Sequence, residues 1–266
     1  MKDVNKKIMF IMWAVVAVFF VVLLTTRKTT AQKSDGDFSF NFNIGVDFYQ
    51  NTTTFSDQDA TRIVIDLVTP DVVIKQTDGN DIVVDVSGSD WDVETKPEVK
   101  LEGKTLYVTN ETIDDKSASS RDKIVCIQIP RRMMNTFFDA EIGTVSGSIE
   151  SDGINYNTFV LGTVSGDIEA DGFFRSATCA SVSGDVTIEA EKPLMYDSQF
   201  STVSGDISLT LPAESSFSLT TGSVFGNLRN DFADGTTVKN GVFSTGTGDP
   251  EIVMSNVSGK ISILKD

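Results

Sequence analysis

Hydrophobic and polar positions follow three regimes along the chain. Residues 8–24, from Ile8 to Leu24, are 17 consecutive apolar residues with no charge. At 1.5 Å per residue such a helix would span about 25 Å, close to the thickness of a bilayer core. From Phe38 to Phe48, apolar Phe38, Phe40, Phe42, Ile44, Val46 and Phe48 alternate with mostly polar residues, the pattern of a strand with one apolar face. Beyond that, short β-rich runs alternate with turn residues: Ile63–Val68, Asp71–Ile74, Ile82–Val86, Leu106–Val108 and Ile124–Ile129, with a polar loop expected at Asp114–Asp122. No window after residue 30 has helical periodicity.

From residue 144 the chain repeats itself. Thr144-Val145-Ser146-Gly147-Ser148-Ile149 is followed by Thr163-Val164-Ser165-Gly166-Asp167-Ile168. Ser181-Val182-Ser183-Gly184-Asp185-Val186 and Thr202-Val203-Ser204-Gly205-Asp206-Ile207 continue the series. A worn copy lies at Ser223–Leu228, and the last is Asn256-Val257-Ser258-Gly259-Lys260-Ile261. The glycines are spaced 19, 18, 21, 21 and 33 apart, the last gap being divided by Gly248 into 22 and 11. Periods near 20 built from strand formers indicate stacked β-coils, and a parallel crossover of that length is expected to be right-handed. The expected fold is therefore all-β: a right-handed parallel β-solenoid behind one N-terminal transmembrane helix.

The expected organisation has residues 1–26 as cytoplasmic tail and anchor, 27–37 as a polar linker and 38–266 as the solenoid. Within the solenoid, 38–48 would be a capping strand and 140–266 the clearest repeats. Spacing places Val164, Ile168, Val203 and Ile207 on one inward face together with the motif glycine, and Ser165 and Asp167 outward. Ile142, Leu161, Cys179, Phe200 and Thr221 form a second inward ladder. The final step of 11 residues reads as half a coil. Cys179, on a core position, is expected to be a buried thiol rather than the disulfide partner of Cys126.

Charge narrows the function. The chain carries −16; three lysines against Asp3 make residues 1–26 +2, so the remainder carries −18. Such a surface repels phosphate backbones, which disfavours nucleic acid. Histidine is absent, which removes Ser-His-Asp and Cys-His catalysis and the common zinc sites. Lys2, Lys6 and Lys7 on one side of the apolar run are matched by Arg27, Lys28 and Lys33 on the other, so charge hardly orients it. The short N-terminal tail favours a cytoplasmic N-terminus and an external solenoid.

Asp167, Asp185 and Asp206 would stack about 4.8 Å apart, repelling by about 1 kcal/mol per pair in water. A divalent cation such as calcium between coils is one reading of that ladder. Solvated or backbone-bonded turn aspartates are the other, and the three residues are assigned to it, with no metal site. No cofactor is expected.

The recurring Thr-Val-Ser-Gly-Asp-Ile, preceded by Ile127-Gln128-Ile129-Pro130, resembles a bacterial family named for putative adhesins, a domain of unknown function with β-strand repeats. The resemblance spans roughly residues 60–266, with departures at Phe225, Asn227 and Lys260. It implies a β-solenoid at the cell surface or envelope with no established catalytic residues. The leading expectation is a non-catalytic, membrane-anchored surface domain that binds a protein or glycan or builds envelope structure, its membrane contact being Ile8–Leu24. A regulatory membrane protein of envelope stress, self-associating at exposed coil ends, is the second. A polysaccharide-cleaving β-helix is the third, opposed by the scarcity of Lys and Arg over residues 140–230.

Overall fold

The computed structural model describes residues 48–56, 59–89, 96–109, 123–233 and 242–266. The apolar run Ile8–Leu24, the alternating stretch 38–47 and the expected loop Asp114–Asp122 lie outside these residues. Among the described residues no helix is long and apolar enough to cross a membrane. They are β-strands, apart from turns and two single 3-10 turns at Arg131–Met133 and Asp231–Ala233.

The strands form two ladders that face each other across one core. In chain order the first strands are β1 (Phe48–Phe55), β2 (Arg62–Asp66), β3 (Asp71–Thr77), β4 (Ile82–Ser89), β5 (Glu98–Glu102), β6 (Thr105–Thr109), β7 (Ile124–Pro130) and β8 (Phe138–Thr144). The long strands β9 (Ile149–Ser165) and β10 (Ile168–Ser183) follow, then β11 (Val186–Ala190), β12 (Ser198–Ser204) and β13 (Ile207–Leu211). The last are β14 (Phe217–Ser223), β15 (Leu228–Asn230), β16 (Val242–Thr245), β17 (Glu251–Ser258) and β18 (Ile261–Lys265).

The first ladder runs β1, β4, β7, β3, the start of β9, the start of β10, β11, β13, β18, β15. The second runs β5, β6, β2, β8, the end of β9, the end of β10, β12, β17, β14, β16. β9 and β10 each serve both ladders, bending between them near the register shift at Ala170/Gly172. Consecutive parallel strands with inward side chains on both ladders make a solenoid.

Coils do not stack in chain order at either end. The last coil, β17–β18, lies between β12–β13 and β14–β15, because β17 pairs with both β12 and β14 and β18 with both β13 and β15. At the other end β2–β3 is inserted between β6–β7 and the coil that begins with β8. The half-coil expected from the 11-residue glycine step is therefore incorrect. Gly248 lies in a turn before β17, and residues 251–265 form a whole coil. Among the described residues, antiparallel strands form three of the four outer edges, β1 and β4 on one ladder and β5 and β16 on the other, and the first ladder ends on its far side in the short parallel strand β15.

Inward positions are aliphatic and aromatic. Ile149, Ile168, Val186, Ile207 and Ile261 form one buried row, and Ile142, Leu161, Cys179, Phe200 and Met254 another. Tyr156, Phe159 and Phe174 cluster between the ladders with centroids 4.3–5.7 Å apart, and the buried Tyr156 hydroxyl lies 2.8 Å from Ser151 Oγ.

The motif valines are not inward. Val164 is 38 % and Val182 39 % exposed, and Val203 is half-buried. Strand parity explains the difference. Leu161 and Thr163 point in, so Val164 between Thr163 and the turn points out. The Ser-Gly turn then breaks the alternation, and Ile168 points in again. The motif glycine sits in that turn, at the corner between the ladders, rather than on the inward face. Ser165 and Asp167 are exposed as expected, and Thr221 is only half-buried.

Candidate binding surface

Each residue type of the repeat performs one job between coils. The motif glycines stack: a Cβ on Gly166, Gly184, Gly205 or Gly259 would come within 2.0–2.3 Å of the carbonyl oxygen of the glycine in the preceding coil of the stack. No side chain fits there, so glycine is required for close backbone approach. Thr163 Oγ1 donates to Gly147 O (3.2 Å), Ser181 Oγ to Gly166 O (3.3 Å) and Thr202 Oγ1 to Gly184 O (3.1 Å). Asn256 Nδ2 donates to Gly205 O (3.4 Å) in the same way.

The aspartate side chains reach the other way, accepting from the next coil of the stack. Asp167 Oδ1 accepts from the Asp185 N–H (2.8 Å), Asp185 Oδ1 from Asp206 (2.7 Å) and Asp206 Oδ1 from Lys260 (2.7 Å). Asp71 Oδ1 accepts from Ser148 (2.8 Å), and the Asp167 N–H donates to Ser148 Oγ (3.3 Å). A hydrogen bond to a charged acceptor contributes about 1.5–3 kcal/mol when sheltered and less when exposed. These exposed bonds act against the repulsion of roughly 1 kcal/mol between stacked carboxylates in water. Among the described residues no cluster of His, Cys, Asp or Glu has the arrangement of a metal site.

With the motif used for coil-to-coil bonding, the outer walls are the remaining surface, and they differ in charge. On the first ladder Glu150 pairs with Glu169, and Asp171 with Glu189, making an acidic wall. Burial pushes the Asp171 carboxyl up, opposed by the Gly153 N–H that it accepts and reinforced by Asp152.

The second ladder presents three outward rows. One is Glu141, Val160, Thr178, Gln199, Val253 and Thr220. Beside it run Gly143, Gly162, Ala180, Ser201, Ser255 and Gly222, all small. The third is the motif valines, Val145, Val164, Val182, Val203, Val257 and Val224. Glu141 is the single charge in these rows, and it is paired with Arg62 at 2.9 Å.

At the margin of this wall lies a cavity of about 530 Å³ lined by Asn157, Thr158, Ser176, Met195, Tyr196, Asp197, Asp249 and Pro250. Tyr196 is 55 % exposed and Met195 53 %. Their turn is held by the Met195 and Tyr196 N–H groups, both donating to Arg175 O at 2.9 Å, and by Leu194, which is buried. Asp197 Oδ1 accepts from the Glu251 N–H at 2.9 Å, joining this rim to the inserted C-terminal coil. Beside the cavity, Asp139 accepts from Thr158 Oγ1 (2.6 Å) and Asn157 Nδ2 (2.9 Å). Burial raises its pKa, but those two bonds and the Arg62 charge outweigh burial and hold it below the ordinary value.

None of the cavity residues belongs to the motif that marks the repeats. A signal is nonetheless present: the repeat from Gly184 to Gly205 is longer than the one before it, and the extra length falls around Pro193-Leu194-Met195-Tyr196. The two cysteines are free, Cys179 buried on its ladder and Cys126 half-buried.

A two-ladder β-solenoid with stacked Ser-Gly-Asp corners defines the structural class. Residues 136–264 match the family model described as Toastrack DUF4097, in agreement with the resemblance that the repeats carry. The fold is similar to that of a putative cell adhesion protein from Clostridium sporogenes, with TM-score 0.53 and 14 % identity over 82 % of this chain and 100 % of that one. A putative adhesin from Bacteroides fragilis aligns with TM-score 0.40 and 13 % identity, over 81 % of this chain and 97 % of its own. No curated protein matches the sequence closely enough to count as a relative.

Proposed function

We propose that the protein is a non-catalytic, adhesin-like solenoid, wound right-handed and displayed outside a bacterial membrane by the apolar segment Ile8–Leu24. Its partner is a surface glycan or protein. The observation that carries this reading is the division of labour in the repeat. Thr/Ser, Gly and Asp are spent on coil-to-coil bonds. The repeated carboxylates are thus scaffold, and recognition falls to the outer walls. The cavity beside Tyr196 offers an exposed ring, the Asp197 and Asp249 carboxylates and the Asn157, Thr158 and Ser176 polar groups, with no basic residue in its lining. The lining is more polar than apolar, with Met195, Tyr196 and Pro250 as its apolar part, and the carboxylates favour a neutral or cationic ligand over an anionic one.

The test is binding of the purified full chain to an immobilised panel of neutral, cationic and anionic glycans, wild type against Tyr196→Ala. Retention of neutral or cationic members, lost at least about tenfold in the variant with an unchanged melting temperature, supports the reading. Binding confined to anionic glycans, or binding indifferent to Tyr196, refutes this site.

A further inference from the structure

Two kinds of group in the cavity beside Tyr196 are left without a partner in the described chain, an aromatic face and a carboxylate. The chain has four tyrosines. Lys96 lies over the Tyr49 ring, 4.0 Å from its centroid, and Lys100 over the Tyr107 ring at 5.7 Å. Tyr156 is enclosed in the core. Tyr196 is 55 % exposed, and among the described residues no Lys or Arg lies over its ring. Such a face attracts a cation through its quadrupole. Arg175, whose carbonyl holds the Tyr196 turn, has its side chain engaged elsewhere. Its guanidinium carbon lies 3.8 Å from the Phe137 centroid, and its Nη1 donates to Asn157 Oδ1 at 3.4 Å.

The polar groups of the lining point to the same chemistry. Asp249 is exposed, and among the described residues nothing bonds to its side chain. Asp197 spends one oxygen on the Glu251 N–H at 2.9 Å and keeps the other. The Thr158 and Ser176 hydroxyls donate their hydrogens to Asp139 (2.6 Å) and to Asn157 O (3.4 Å), which leaves their oxygens as acceptors. The lining contains no Lys or Arg. It is therefore rich in acceptors and poor in donors, and a ligand that fits it must bring donors and positive charge. From these observations we propose that the cavity takes an amino sugar with a free amine, its ammonium against Asp197 and Asp249 and its ring against Tyr196. The inference rests on the reading of this cavity as the ligand site, and adds the charged group that the ligand carries.

The acceptors select a sugar over a lysine side chain. A lysine brings an ammonium on an apolar stem, which offers nothing to the Thr158 and Ser176 oxygens, whereas the hydroxyls of a sugar donate to them. N-acetylation of the amine removes the charge that Asp197, Asp249 and the Tyr196 face attract, so an acetamido sugar is the discriminating comparison.

The experiment is calorimetric titration of the full chain in neutral detergent at physiological salt and about pH 6, where amines are charged and carboxylates ionised. The probes are tri-glucosamine, tri-N-acetylglucosamine and cellotriose, which differ in bearing an ammonium, an acetamide or a hydroxyl at the second carbon. The variants are Asp249→Asn, Tyr196→Ala and Glu169→Gln, the last removing the same charge from the acidic wall, and an unchanged melting temperature shows that each folds. The proposal requires wild type to bind tri-glucosamine at least about fivefold more tightly than the other two sugars. It also requires Asp249→Asn and Tyr196→Ala each to weaken that binding about fivefold or more, and Glu169→Gln to weaken it less than about twofold. Equal or tighter binding of the acetamido or hydroxyl sugar, lost in Tyr196→Ala, overturns the preference for an amine while the site itself stands. Tri-glucosamine binding that Glu169→Gln weakens as much as Asp249→Asn is attraction to the net charge of the chain, and overturns the proposal. Absence of binding by all three sugars overturns it equally, and the site is then decided by the wider glycan panel.

Discussion

At the residue scale, the corner of each coil is where one atom decides the fold. Gly184 has the Gly166 carbonyl oxygen 2.0 Å from where its Cβ would be, and the Gly166 carbonyl carbon at 2.6 Å, so backbone must move to admit alanine. Gly184→Ala should cost more than about 3 kcal/mol or prevent folding, by analogy with the larger losses from overpacking. Gly248→Ala should cost only about 1–2 kcal/mol, since its φ of +83° is unfavourable for alanine but the nearest atom is 3.8 Å away. Chemical denaturation of the two variants checks the difference. Asp171 gives a pH test. Its pKa is raised on folding, chiefly by burial. The fold therefore prefers the protonated form, and stability present below the ordinary carboxylate pKa is lost as pH rises through the raised value. Asp171→Asn should gain in melting temperature relative to wild type as pH increases from about 3 to about 7, and no change in that gap would contradict the assignment. Burial also pushes the Cys179 thiol up, and raises that of Cys126 with Lys75 acting against it. Thiol titration of the denatured, unreduced protein should find two free thiols, with Cys179 silent in the native state.

The elements explain which parts of the architecture the sequence discloses. Strands β2, β3, β4, β6 and β7 are legible because they are short runs of strand formers bounded by turn residues, and the glycine period shows that coils stack. The inward row through Ile142, Leu161, Cys179 and Phe200 is legible because it recurs at the repeat spacing. The orientation of the valines is not, because alternation carried across the Ser-Gly turn misplaces them where the backbone changes direction. Nor is the stacking order: a period tells how long a coil is, not which coil it lies beside. Nothing in Asn256–Ile261 distinguishes a terminal coil from one inserted between two others. That insertion has a consequence. Removing residues 251–266 should strip β12 and β14 of their shared neighbour β17, and β13 and β15 of β18. Hydrogen exchange of the truncated chain should show loss of protection in β14 and β15 together with new exposure at β12 and β13. Protection unchanged from the wild-type pattern upstream of residue 231 would mean that the C-terminal coil is peripheral.

For the whole molecule, the design is a rod whose interior and corners are spent on holding coils together, leaving two walls of opposite character and a cavity at one margin. The stacked aspartates serve in it as hydrogen-bond acceptors, so the melting temperature should be unchanged by millimolar calcium or by a chelator. A rise of several degrees with calcium would restore the cation ladder. An adhesin-like role requires above all that this rod stand outside the membrane. Labelling intact cells with a membrane-impermeant maleimide tests that most directly, using Met195→Cys in a Cys126→Ser background, because Met195 is 53 % exposed and Cys179 is enclosed. Labelling of intact cells equal to that of lysed cells is the expected result. Labelling only after lysis would place the solenoid on the cytoplasmic side, and the adhesin-like reading would fall.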